Sequence, residues 1–140
     1  MIERKSNLEF KKELEARTRR FASSVFRMLN DCPKNVATKV IAYQLGKSAS
    51  SIGANYREAN RAESTDDVIH KIGIVLKETS ETVYWLEVLQ DVYPDAKEIS
   101  VLLDESRVFL SLYQKINRTA KQNSGRIPIK KRYNVNSEAL

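Results

Sequence analysis

The chain offers little with which to do covalent or acid–base chemistry. It holds one histidine, His70, and one cysteine, Cys32, in different segments. No CxxC or HExxH spacing exists to hold a metal. Cys32 stands next to Pro33 and reads as a packing residue at a helix end rather than a nucleophile. Glu78 and Glu81 are spaced i, i+3, as in half of a carboxylate metal site. A di-metal bundle needs Glu-x-x-His on two helices, which a single histidine cannot supply. They therefore read as a charged face, solvated or between subunits. His70, four residues before Ile74, reads as a hydrogen-bonding interface residue, with no nucleophile beside it. No metal, cofactor or catalytic activity is expected.

The stretch SASSIGANYREAN, residues 48–60, is dense in small residues and invites a phosphate-loop reading. Gly46 and Gly53 lack the order of a phosphate loop, and no strand precedes them. On a helix, Ala42, Gly46, Ala49 and Gly53 fall within about 60° of one another at 100° per residue. They form a smooth row beside the bulky Ile41, Leu45 and Ile52, so a neighbouring backbone is expected to come close. Each glycine inside a helix costs about 1 kcal/mol relative to alanine, which close packing must offset. Asn55, with Gln44 and Ser48, borders the bulky row and is expected to set helix register. Gly46, Ala49, Gly53 and Asn55 thus form a predicted structural seam.

Four helices are needed to position these residues. Breakers at Asp31-Cys32-Pro33, Glu63-Ser64-Thr65-Asp66 and Tyr93-Pro94-Asp95 divide most of the 140 residues into four stretches of roughly 25. Ser64, Thr65 or Asp66 can cap the third helix, and Pro94 suits the first turn of the fourth. Short connections predict an all-α, antiparallel up-down-up-down four-helix bundle over residues 1–121. Its expected core faces are Phe10, Leu14, Phe21, Val25, Met28, Leu29 and Cys32, then Ile41, Leu45, Ile52, Tyr56 and Ala59. The third helix offers Val68, Ile69, Ile72, Val75, Leu76, Val83 and Leu86; the fourth offers Ile99, Leu102, Leu103, Phe109, Leu110, Tyr113 and Ile116. Residues 122–140 lose the helical pattern at Ser124-Gly125 and are expected to be a flexible basic tail.

Apolar residues exceed what one core can use. Ile74, Trp85, Val88, Leu89 and Val92 lie roughly opposite the core stripe of the third helix, and Val101, Val108 and Leu112 make a second stripe on the fourth. A helix apolar on two sides is buried on two sides, so the expectation is a homo-oligomer contacting through these residues and His70. The alternative is that Ile127, Pro128 and Ile129 fold back over the patch.

Charge is segregated along the chain. Residues 1–63 carry 13 Lys/Arg against 7 Asp/Glu, residues 64–106 carry 3 against 10, and residues 107–140 carry 8 against 1. Either the protein has distinct basic and acidic surfaces, or the segments neutralise one another across the fold. Arg17, Arg19, Arg20 and Arg27, with Arg118, Lys121, Arg126, Lys130, Lys131 and Arg132, are candidates to hold RNA or DNA through phosphates without base specificity. No apolar run reaches the ~18 residues of a membrane span, and no signal peptide is expected in the charged N-terminal stretch. With a lone cysteine, the expected location is the cytoplasm.

The segment Ser50-Ser51-Ile52-Gly53-Ala54-Asn55-Tyr56-Arg57-Glu58-Ala59, then Asp67 to Ile74 (DVIHKIGI) and Glu81 to Leu86 (ETVYWL), strongly resembles the bacterial four-helix bundle proteins of the 23S rRNA intervening-sequence family. The likeness covers most of residues 17–118; where many members have Phe, this chain has Val68. The resemblance implies an up-and-down bundle, commonly a ring-like homopentamer, without known enzymatic activity. A related branch is the accessory protein of diversity-generating retroelements, a basic pentamer that binds nucleic acid. It partners a reverse transcriptase, which a retroelement-associated member would share. The shared motif looks structural, so it carries over no catalytic residue. A protein-interaction scaffold without any nucleic-acid role is the second reading.

Overall fold

The computed structural model describes residues 5–129, and the tail candidates Lys130, Lys131 and Arg132 lie outside them. Four helices follow in order: α1 (Asn7–Asp31), α2 (Val36–Asn60), α3 (Thr65–Val92) and α4 (Lys97–Asn123). Three of their starts are written in the local sequence. Ser6 and Glu9 form a reciprocal capping box on α1, Asn35 accepts from the Thr38 amide, and Ser64 accepts from the Asp67 amide. The α4 start departs from expectation. Pro94 sits in the preceding turn, and the cap is Ala96, which has no side-chain oxygen to offer. Helix α4 also runs two residues past the expected boundary at 121. It ends where Gly125 adopts φ +76° and the Arg126 amide bonds back to the Lys121 carbonyl.

Neighbouring helices run in opposite directions around a square. Glu58 pairs with Lys71, Ser48 with Thr82, and Thr38 with Tyr93, so numbers fall along α2 as they climb along α3. The core lies where all four apolar stripes meet. Phe21 and Phe109 pack edge to face at 5.2 Å, and Tyr56 reaches diagonally to Tyr113 at 5.3 Å. Every residue of the expected α2 face is buried. On α1, however, Phe10 is 38% exposed and lies at the edge of the core, lining open clefts with Leu112 and Ile116 of α4.

The small residues of α2 do face a neighbour: at Gly53 the side chain and the backbone of Thr18 both come close, while at Gly46 the Phe26 ring fills the space. A Cβ on Gly53 would stand 2.9 Å from the Thr18 Oγ1, and one on Gly46 would stand 3.0 Å from the Phe26 ring. Thr18 is fully buried, its hydroxyl donating to the Leu14 and Glu15 carbonyls of its own helix. Asn55 does not set register across helices, since its amide donates to the Ser51 carbonyl one turn back. The polar bridge between α2 and α3 is instead Thr82 Oγ1 donating to Ser48 Oγ at 3.0 Å, both residues buried. Such a satisfied buried pair fixes register because sliding either helix would strand it.

A charged cluster closes the other end of the α1–α2 seam. Glu15, with a side chain only 13% exposed, accepts from Arg57 and Arg61 of α2. Burial alone would raise its carboxyl pKa; the Arg61 hydrogen bond and charge, helped by Asn60 and Arg57, hold it below the usual carboxylate range.

Two measurements test this seam. In Gly53→Ala, crowding against Thr18 should outweigh the gained helix propensity and cost about 1–3 kcal/mol in urea melts. The control is Gly73→Ala, which meets nothing within 4 Å and should stabilise by about 0.5–1 kcal/mol. For Glu15→Gln, a loss of about 1 kcal/mol is expected at pH 7. A carboxyl titrating lower when folded stabilises the fold above its unfolded pKa and loses that contribution as pH falls. The gap between wild type and Glu15→Gln should therefore narrow from about pH 5 toward pH 2.

Candidate nucleic-acid and subunit-contact surfaces

The α1–α4 pairing determines which cations can act together. Asn7 and Lys11 line one end cleft of about 670 Å³ with Lys115, Thr119 and Asn123, while Arg27 and Asp31 line another with Lys97 and Glu98. Arg118 and Lys121 therefore stand beside the first turns of α1. Arg27 is at the far end, about 15 Å along the axis from Arg17 at 1.5 Å per residue. The expected cations form a band along α1 plus a cluster at one end, rather than a single patch.

They also differ in their partners. Arg17 is already engaged, donating through Nε and Nη2 to both Glu105 oxygens at 2.6 and 2.9 Å while its guanidinium lies 5.2 Å from the Phe109 ring centre. Arg126 pairs with Asp66 at the start of α3. Arg20 and Arg27 line clefts along the α1–α4 seam. Arg19 and Arg118 are exposed and Lys121 is half-buried; none of the three makes an ion pair among the described residues. Lys11, Lys12 and Lys115 belong with this end cluster but were not singled out from the sequence. Their signal was the antiparallel order itself, which joins the start of α1 to the end of α4.

The second apolar stripes divide as well. Val92, Val101 and Val108 are exposed at 44%, 66% and 47%, and Ile74, Trp85, Val88 and Leu112 are half-buried, with His70 exposed. Leu89 does not belong with them. It is fully buried in the bundle's own core, one turn past Leu86 on the side of α3 that faces α2. The chain turn at 124–129 does not reach the Trp85–Val92 part of the α3 stripe, because Arg126 meets Asp66, nineteen residues or about 28 Å from Trp85.

Sequence reasoning missed part of this apolar surface. Tyr84 is 57% exposed and packs edge-on to Trp85, whose indole N–H donates to Glu81 at 3.5 Å. Exposed Val36, Val40 and Tyr43 make a further row on α2, detectable from their i, i+4, i+7 spacing. Lys47 continues that row and lies near Glu78, whose carboxyl pKa is raised by burial and then by Glu81. The α2 row and the α3 stripe therefore share one face of the bundle. Among the described residues, no helix is long and apolar enough to cross a membrane.

Comparison with known proteins gives a consistent result. The profile of the 23S rRNA-intervening sequence protein family matches residues 10–122. No curated protein matches the chain. A crystal structure of a protein of unknown function from the S23 ribosomal protein family of Bacteroides thetaiotaomicron is similar, with a TM-score of 0.65 and 30% identity. That match covers 74% of this chain and 97% of the other. The matched residues take in all of α2 and α3, including the Gly46–Gly53 row and the buried Ser48–Thr82 bridge. The chain belongs to the 23S rRNA-intervening sequence protein family.

Proposed function

We propose that the protein is a non-enzymatic, self-associating bundle that holds RNA or DNA through its phosphates. The observation that carries this reading is the cationic end where α1 begins and α4 finishes. Lys11, Lys12, Lys115, Arg118 and Lys121 gather there, and none makes an ion pair among the described residues. Lys130, Lys131 and Arg132, outside the described residues, follow in the sequence and carry further positive charge. Contacts of this kind neutralise the backbone and read no bases, so weak sequence preference follows. Self-association, in a ring of five as the family resemblance implies, would present the cluster in several copies and multiply its field.

A second reading, a scaffold that docks another protein, draws on the exposed Tyr43 and Tyr84.

Filter binding with structured RNA and duplex DNA separates the two. If about four phosphates are neutralised per site, affinity should drop on the order of 100-fold between about 50 and 200 mM salt. Replacing Arg118 and Lys121 with Glu should remove most of the binding while leaving the helical circular dichroism unchanged. Absence of retention at low salt would sink the nucleic-acid reading and favour the scaffold.

A further inference from the structure

The geometry points to a binding site for a small amphiphilic anion, an aliphatic body carrying one carboxylate or phosphate, in the cleft where α1 begins and α4 finishes. This site goes beyond the phosphate contacts proposed above and does not rest on them, since Lys12, Arg118 and Lys121 do not line it.

The cleft exists because the core stripes lose their bulk at this end. On α1 the buried positions Leu14, Thr18, Phe21, Val25 and Met28 recur every three or four residues. Followed back along the same face, that spacing reaches Lys11 and then Asn7. On α4 the stripe runs from the buried Phe109 and Tyr113 through Ile116 to Ala120 and Asn123. Ala59 of α2 adds another small side chain to the lining. Alanines, amides and a lysine thus stand where large apolar residues would have closed the bundle, and about 670 Å³ is left open. A volume of that size suits a small ligand.

The walls divide by chemistry. Tyr56 and Ile72, 3% and 2% exposed, form the inner part, with Val68, Leu112 and Ile116 half-buried beside them. They offer an apolar body a surface that removes it from water. Asn7, Lys115, Thr119 and Asn123 are exposed and supply donors at the mouth. No acidic residue lines the cleft, and neither Lys11 nor Lys115 makes an ion pair among the described residues. Lys11 is the decisive residue, half-buried at a core-facing position. Glu15, one turn along α1, is engaged by Arg57 and Arg61, so the ammonium is left to a charge that arrives with a ligand. A nucleobase would turn its hydrogen-bonding edges toward aliphatic walls, which selects an aliphatic body over a nucleotide.

The test titrates the full chain with octanoate and follows the NMR shifts of its backbone amides. The shifts should saturate and be largest at residues lining the cleft. Hexanoate, two methylenes shorter, should bind on the order of tenfold more weakly. Comparing octyl phosphate with octanoate identifies the preferred head group. Lys11→Gln should weaken octanoate by at least about tenfold and leave octanol unaffected. Ala120→Phe, at a half-buried position, should fill the cleft and abolish octanoate binding while the remaining amide spectrum stays folded. Replacing Arg118 and Lys121 with Gln should leave octanoate bound, since neither lines the cleft. The site is overturned by the absence of saturable shifts at millimolar octanoate, or by shifts scattered over the whole surface. It is equally overturned if Lys11→Gln binds octanoate as wild type does, or if adenosine 5′-monophosphate binds more tightly than octanoate.

Discussion

The contact on which the arrangement of this bundle depends is the close approach of α1 to α2 at Gly53 and Thr18. A side chain on residue 53 would occupy the place of the Thr18 hydroxyl. Removing it lets a β-branched, hydroxyl-bearing residue sit fully buried, with its polar atom satisfied inside its own helix. Gly46 repeats the device two turns away against Phe26. The helix-propensity cost of two glycines, about 1 kcal/mol each, is offset only if α1 lies flush along this row. Helix α1 is therefore tied chiefly to α2, with Glu15 between Arg57 and Arg61 as the polar clasp at one end of the seam.

A helix drawn toward one neighbour is drawn less toward the other. The α1–α4 seam is the looser one, bridged by the edge-to-face pair Phe21–Phe109 and by the Arg17 fork on Glu105. A long, planar, bidentate side chain suits such a gap, since it spans distance and fixes orientation together. The clefts beside that bridge and the exposed valines of α4 follow from the same asymmetry. On the other side of the bundle, α2 and α3 pack tightly, so their surplus apolar residues cannot turn inward and remain on the outer face.

Much of the fold was legible because helical periodicity and breaker residues are local signals. The α2 face came out whole, since Ile41, Leu45, Ile52, Tyr56 and Ala59 sit within one narrow arc. Leu89 was misplaced because a wheel shows direction but not how wide a neighbour's coverage is. The tightly packed α2 covers the flank of α3 that carries it. Asn55 was over-read for a similar reason. From sequence, a polar residue beside a core row has partners across the helix and along it, and here the near one won. Ser48–Thr82 and Arg17–Glu105 join residues 34 and 88 positions apart, and nothing in either local stretch marks the other. For the surfaces, the sequence showed which residue types were in surplus. It did not show which cations were already paired, and that decides which remain available to a partner.

The segregation of charge along the chain left two outcomes open, separate surfaces or neutralisation across the fold, and helix order discriminates between them. Ion pairs that join a cation of a basic segment to an acid of the acidic segment do form: Arg17 with Glu105, and Arg126 with Asp66. Each joins helices that are neighbours in the square or, for Arg126, the turn just beyond α4. The densest basic and acidic runs are on α1 and α3, which are diagonal and separated by the core. A surface charge cannot reach through an apolar interior, where desolvation would exceed the gain. Neutralisation is therefore partial by construction. What remains is an arginine-rich α1 beside the open seam, acids spread around the outer surface of α3, and a lysine-rich end where α1 begins and α4 finishes. A chain-level asymmetry becomes a surface-level one because the up-down order keeps its densest basic and acidic runs on α1 and α3, which are diagonal.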